Sequence, residues 1–172
     1  MNTAIINSDS YEKHNTGDGH PEQPKRVIAI KEKLKKRNDL IWETPVSVPD
    51  DILAMTHSKE YIENLNNSFP QKGLKFLDGD TVVSPESKKA VFDAAGSTIK
   101  AIDGIENNQF KNAFCLARPP GHHAEKDKAM GFCCISNAGV ATNYLINRYK
   151  YKRIACVDFD VHWGNGNYDV MR

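Results

Sequence analysis

The chain has 172 residues, enough for one domain with a core of its own, and its make-up is ordinary at 40% hydrophobic and 26% charged. A formal net charge of +1 excludes a sequence built for electrostatic binding to nucleic acid or an anionic membrane. No stretch approaches the roughly 20 apolar residues of a membrane span, and residues 1–10 lack the basic start and apolar run of a secretory leader.

No repeat or linker interrupts the chain, which reads as one unit. In chain order, residues 4–6 are a short candidate strand. A polar loop, 15–20, leads to a helix over 22–37 whose Val27, Ile30 and Leu34 share one face. The charges from Lys31 to Arg37 make its solvated side. Ser58 is placed to cap a second helix carrying Tyr61, Ile62 and Leu65 inward. Ser84 and Pro85 form a cap and first-turn pair for a third, with Val91, Ala94, Ala95, Ile99 and Ile102 apolar. Residues 113–117 read as a buried strand, 137–149 as a helix with Val140, Ala141, Tyr144 and Leu145 inward, and 154–157 as a second buried strand.

The four cysteines, Cys115, Cys133, Cys134 and Cys156, form no C-x-x-C pair, and adjacent Cys133 and Cys134 suit no ordinary disulfide framework. A reducing, cytoplasmic setting is the expectation.

Strand, helix, strand over 113–157 predicts a βαβ unit with parallel strands. Ligands in open α/β sheets bind beyond the carboxyl ends of the strands. Each strand here runs into a polar loop, Arg118-Pro119-Pro120-Gly121-His122-His123 after the first and Asp158-Phe159-Asp160-Val161-His162 after the second. Parallel strands bring both loops to one sheet edge.

Strand alternation sends Asp158, Asp160 and His162 to one side and Phe159 and Val161 to the other. Two carboxylates and an imidazole on one face are costly to bury without a cation among them, and this donor set suits zinc. A hydrogen-bonded polar strand end, or separate salt bridges, is the alternative. Adjacent His122 and His123 sit in a turn constrained by two prolines and a glycine. Near a metal, such imidazoles serve as base and acid, and Asp158 and Asn165 are suitable partners to fix their tautomers.

These residues resemble the histone deacetylase, acetylpolyamine amidohydrolase and acetoin-utilisation family. The likeness rests on the run from Arg118 to Ala124, on Gly131-Phe132-Cys133 followed by Asn137, and on the run from Val157 to His162 with Gly164-Asn165-Gly166. Upstream, the run from Gly19 to Arg26, His57-Ser58 with Tyr61-Ile62, and Asp80-Thr81 fit in the same order. The resemblance implies an α/β fold with an open, mainly parallel sheet flanked by helices, of the arginase/deacetylase kind. It makes residues 1–172 the N-terminal part of a single catalytic domain, truncated relative to the family.

Carried over by position, Asp160 and His162 resemble two of three zinc ligands. His123 resembles the general base and His122 its electrostatic or acid partner. Asp158 resembles the carboxylate that orients His122 and helps form a monovalent-cation site, with Asp160 and His162 contributing and potassium the implied ion. Asn165 resembles the residue beside the second histidine, Gly131 and Phe132 a wall of the acyl-lysine channel, and Arg26 a product-exit residue. For Arg26 the alternative is a salt bridge on the helix surface, and for Phe132 a place in the core. The implied reaction is hydrolysis of acetyl-lysine or a small acetylated amine such as an acetylpolyamine, with zinc lowering the pKa of its water from about 16 toward 7.

Three departures from the family pattern stand out. Trp163 replaces a frequent second histidine, and Asn167-Tyr168 replace the usual Thr-Gln after Gly-Asn-Gly. The third ligand, an Asp, and the oxyanion Tyr of the family fall beyond Arg172. The chain alone is therefore expected to have little or no activity, and its strand edge to favour self-association or pairing with a C-terminal half. A non-catalytic product that binds a partner is the second reading. An arginase-like ureohydrolase, a third, needs a carboxylate where Gly164 stands.

Overall fold

The computed structural model describes residues 2–172; Met1, where the segment scanned for a leader begins, lies outside the described residues. An unbroken apolar run, Ala4-Ile5-Ile6, is buried on both faces and becomes the middle strand of a parallel sheet. In chain order the elements are β1 (Thr3–Ile6), α1 (Ser10–Lys13), α2 (Lys25–Leu34), β2 (Leu40–Glu43), α3 (Asp50–Thr56), α4 (Lys59–Ser68), β3 (Lys75–Phe76), β4 (Val82–Val83), α5 (Ser87–Glu106), β5 (Asn112–Cys115), α6 (Asn137–Tyr149) and α7 (Asn165–Met171). The sheet order is β2-β1-β5, with Thr3 opposite both Leu40 and Asn112. The short β3–β4 ladder is antiparallel and separate.

Helix α5 organises the interior. Its Ala90 and Ala94 pack with Ile5, Tyr11, Val27 and Leu116, while Ala101 meets Ala4, Ile6 and Phe110. Val91, Ala95 and Ile99 join Ile52, Leu53, Tyr61, Leu65, Val140 and Tyr144 in the largest cluster, between α3, α4, α5 and α6. Each large side chain so covered contributes about 1.5–3 kcal/mol. Ser58 and Ser136 cap α4 and α6, accepting from the backbone N–H of Tyr61 (3.2 Å) and Gly139 (3.2 Å).

Several expectations are corrected. The helix expected over 22–37 is shorter, and Ile30 on it is 41% exposed because only Val27 is turned fully inward. Ser84 and Pro85 form a turn before α5 rather than its first turn: the Ser84 backbone N–H donates to Ser87 Oγ (2.7 Å), and the helix starts at Ser87. Strand β5 lies at the sheet edge with Phe114 48% exposed, so it is not the fully buried strand expected.

The second strand of the predicted βαβ unit, 154–157, does not form. No strand pairs with this segment, and just downstream the backbone turns to side-chain acceptors: the N–H of Asp160 donates to Asp158 Oδ1 (3.2 Å) and that of His162 to Asp160 Oδ1 (2.8 Å). Alternation nevertheless persists. Val157, Phe159 and Val161 are 82%, 96% and 93% exposed, while the polar residues between them turn toward the His122–His123 loop. Among the described residues no helix is long and apolar enough to cross a membrane.

Candidate active site

Parallel pairing of β5 with β1 sends the chain out of the sheet at Leu116, and Arg118 then turns inward instead of outward. Its side chain is fully buried. Nε and one terminal nitrogen grip the Glu22 carboxylate at 2.9 and 2.7 Å, and the other donates to the carbonyls of Tyr11 and His14. A bidentate guanidinium–carboxylate pair at zero exposure holds only when its remaining donors are also met, as they are here. This anchor fixes the start of the loop that carries both histidines. At Gly121 the loop passes so close to the start of α6 that a Cβ would lie 2.6 Å from the Asn137 backbone nitrogen.

The rings of His122 and His123 lie 4.0 Å apart, centroid to centroid, and each has its own partner. Asp158 Oδ2 stands 3.1 Å from His122 Nδ1, and Asn165 Oδ1 stands 2.6 Å from His123 Nδ1. The amide orientation of Asn165 follows from its other end, where Nδ2 donates to Glu125 Oε1 at 2.7 Å. An amide oxygen only accepts, so His123 Nδ1 is the donor in this bond, and in the neutral ring that leaves the lone pair on Nε2. Burial works to raise the Asp158 carboxyl, but the Asp160 N–H and the His122 ring outweigh it and hold it below the usual carboxylate range.

Asp160 and His162 complete the constellation. The His162 ring lies 6.0 Å from that of His123, and its Nδ1 is 3.0 Å from Asp160 Oδ1. The backbone N–H and ring of His162 hold the Asp160 carboxyl low. Both residues line one cavity of about 350 Å³ with His122, His123, Gly131, Phe132 and Arg26. Thus the two loops meet at one sheet edge although the second strand is missing. Arg26 is half exposed there, with one guanidinium nitrogen 3.1 Å from Glu22 Oε1.

As donors, an imidazole and a carboxylate suit zinc in kind but not in number. Among the described residues no three His, Cys, Asp or Glu side chains come together as a metal site.

Several residues were not legible in advance. Asn167, one of the departures noted above, donates from Nδ2 to Asp158 Oδ2 (3.0 Å) and from its backbone to the His122 carbonyl (3.0 Å). Asp169 Oδ2 accepts from the Lys126 N–H at 2.8 Å, tying α7 to the loop after the histidines. His57, fully buried, bridges that loop: its Nδ1 meets the Glu125 carbonyl at 2.9 Å and its Nε2 accepts from the Ser136 N–H at 3.0 Å. Burial pushes its pKa down. Only the turn-rich character of 118–136 hinted that these partners were needed. All four cysteines are free, and burial drives the Cys133 thiol up to about 12, so it behaves as an apolar filler.

An open α/β sheet with oriented imidazoles beyond its carboxyl ends defines a class of domains built for acid–base chemistry in a crevice. Within that class, residues 20–172 match the family model of the histone deacetylase domain, and the chain belongs to that family. An uncharacterised protein of Synechocystis is 41% identical over 172 residues, covering 95% of this chain and 55% of that protein. A probable deacetylase of Methanothermobacter thermautotrophicus is 36% identical over 97% of this chain and 50% of its own length. Histone deacetylase 5 of Arabidopsis thaliana is 34% identical over 97% of this chain and 27% of itself. The solved HD domain of HDA15 superposes with a TM-score of 0.88 at 30% identity, over 98% of this chain and 50% of that one. The chain thus spans about half or less of the length of these relatives, and its open parallel sheet flanked by helices is the fold of that domain.

Proposed function

We propose that this chain supplies the histidine-pair side of a zinc-dependent amide hydrolase that removes acetyl groups from acetyl-lysine or a small acetylated amine. The observation that carries the reading is the pair itself: two touching imidazoles, each held at Nδ1 by a different partner, facing Asp160 and His162 around one cavity.

His123 takes the proton of the attacking water at its free Nε2, with Asn165 keeping the ring in the required tautomer. His122, braced by Asp158, carries charge beside the developing oxyanion and returns a proton to the leaving amine nitrogen. Phe132 and Gly131 line the cavity as its acyl-channel wall, and Arg26, which also lines it, is the residue proposed to guide the acid product out. Asp160 and His162 would hold the zinc, which supplies Lewis-acid polarisation when bound. Asp158, Asp160 and His162 are also the proposed contributors to a potassium site.

Because the chain presents two protein donors, it turns over little or no substrate by itself; zinc-dependent cleavage of an acetyl-lysine peptide by the purified 172-residue chain would refute this. The test of the function is complementation. Co-expressed with the part of the Synechocystis relative that this chain does not cover, it gives zinc-dependent deacetylation that disappears with His123→Ala. A well-folded pair without turnover would favour the non-catalytic partner reading.

A further inference from the structure

We propose that His20, together with Thr81, is a positioning residue that clamps Phe132 and so sets which acyl groups the cavity admits; the specificity part rests on the deacylase reading above.

Met130 and Cys133 exchange backbone hydrogen bonds of 3.1 and 2.9 Å, leaving Gly131 and Phe132 as a two-residue turn. Their φ values of 56° and 70° make it type I′, in which both central residues are left-handed. Glycine at the first position is ordinary, and it also lets the turn approach His123, whose Cδ2 would lie 2.5 Å from an added Cβ. Phenylalanine at the second is not, because its Cβ resists the left-handed region. A strained residue persists when its surroundings over-determine it, and such residues gather at functional sites.

Two contacts over-determine Phe132. Its backbone N–H donates to Thr81 Oγ1 at 3.0 Å, and Thr81 is buried at 1% exposure. Thr81 is itself held by its N–H to Asp78 Oδ1 (2.6 Å). On the ring side, His20 meets Phe132 edge-on, with centroids 4.8 Å apart at 71°. Both ring nitrogens hold His20 in place: Nδ1 lies 3.1 Å from the Glu22 backbone nitrogen and 3.2 Å from its carbonyl oxygen, and Nε2 lies 3.0 Å from the Asp80 carbonyl. Three loops, 17–22, 78–81 and 130–133, therefore converge on Phe132, which lines the cavity holding the histidine pair.

His20 stands behind Phe132 and does not line the cavity. Removing it leaves space into which the ring can swing away, widening the mouth. Clamped, the ring favours a slender acyl group; released, it admits longer ones.

The test uses the isotope-labelled 172-residue chain, alone for exchange and co-expressed with the uncovered part of the Synechocystis relative for peptide binding, as wild type, His20→Ala, Thr81→Val and Thr81→Ser. It reads the exchange rate of the Phe132 amide, the exchange of α5 as a control for global stability, and dissociation constants for ε-acetyl-lysine and ε-butyryl-lysine peptides. Thr81→Val and His20→Ala accelerate Phe132 exchange by about tenfold or more with α5 unchanged, and Thr81→Ser restores protection. The acetyl-over-butyryl preference falls on the order of tenfold in His20→Ala. Unaltered Phe132 exchange in both variants overturns the clamp, and accelerated exchange with unaltered preference overturns its role in specificity. If the complemented wild type binds neither peptide, the deacylase reading fails, and the exchange rates alone decide the clamp.

Discussion

Replacing Glu22 by Gln removes the charge that Arg118 is built around. The Glu22 side chain is 1% exposed and that of Arg118 is 0%, so no water can take over the interaction. Breaking one partner out of a buried pair costs about 3–5 kcal/mol, because the remaining charge is stranded. For a domain of this size each kcal/mol lowers the melting temperature by about 2–4 °C, so Glu22→Gln is expected to lose on the order of 10 °C. Arg26 also loses its carboxylate but is half exposed and contributes little. The double variant Glu22→Leu, Arg118→Met relieves the stranded charge yet orphans the carbonyls of Tyr11 and His14, so it recovers only part of the loss. Urea and thermal unfolding of the two variants measure this. A Glu22→Gln variant within about 1 kcal/mol of wild type would refute the claim that the pair anchors the histidine loop.

Other outcomes follow from neighbouring groups. His14 is 1% exposed, and burial, with the Arg118 charge beside it, lowers its pKa from 6.5 to about 4. The unfolded chain therefore binds the extra proton first. Stability is complete above pH 6.5 and falls as the pH drops toward 4, by about 3 kcal/mol for His14, with His57 acting in the same direction; His14→Gln flattens a urea-midpoint profile over that window, and an unaltered profile contradicts it. Gly131→Ala places a Cβ 2.5 Å from the His123 ring at a φ of 56°, so the His123 Nδ1 proton resonance shifts or vanishes and stability falls by about 1–3 kcal/mol; an unchanged resonance counts against the packing described. Exposed Val157, Phe159 and Val161 are expected to make the isolated chain self-associate, and Phe159→Ser with Val161→Ser to shift light-scattering mass toward the monomer; a wild-type monomer at high concentration refutes it.

The fold was legible where one signal dominated. The apolar spacing of Val91, Ala94, Ala95, Ile99 and Ile102 marked α5, and Ser58 caps α4 as expected, by a direct hydrogen bond. β2, α3 and the β3–β4 ladder were not foreseen, and the two-residue strands in particular carry too little periodicity to separate from loop. In the site, His122, His123, Asp158 and Asn165 were legible as chemistry-bearing residues and are brought together in the pairs expected. Their supports were not. Glu22 and Arg118 are 96 positions apart, and His20 touches Phe132 from a different loop; no local pattern records such partners.

The missing strand shows where sequence reasoning and tertiary context part. Residues 154–157 have the composition of a buried strand, and strand formation needs a paired neighbour as well as a suitable pattern. Here no neighbour pairs with them, and past them the N–H groups of Asp160 and His162 turn to the side chains of Asp158 and Asp160. The site survives because alternation, rather than ladder formation, decides which side chains face the histidines. Asp158 reaches His122 through a single hydrogen bond, and Asn167 steadies the same oxygen from α7, so half of the constellation is held by side chains instead of by a sheet. That predicts an order of loosening: Asn167→Ala frees Asp158 and the 154–163 segment before it affects the sheet. Amide exchange should therefore rise first at Asp160 and His162 while β1 stays protected, and simultaneous loss at both would show that the segment is tied to the sheet after all.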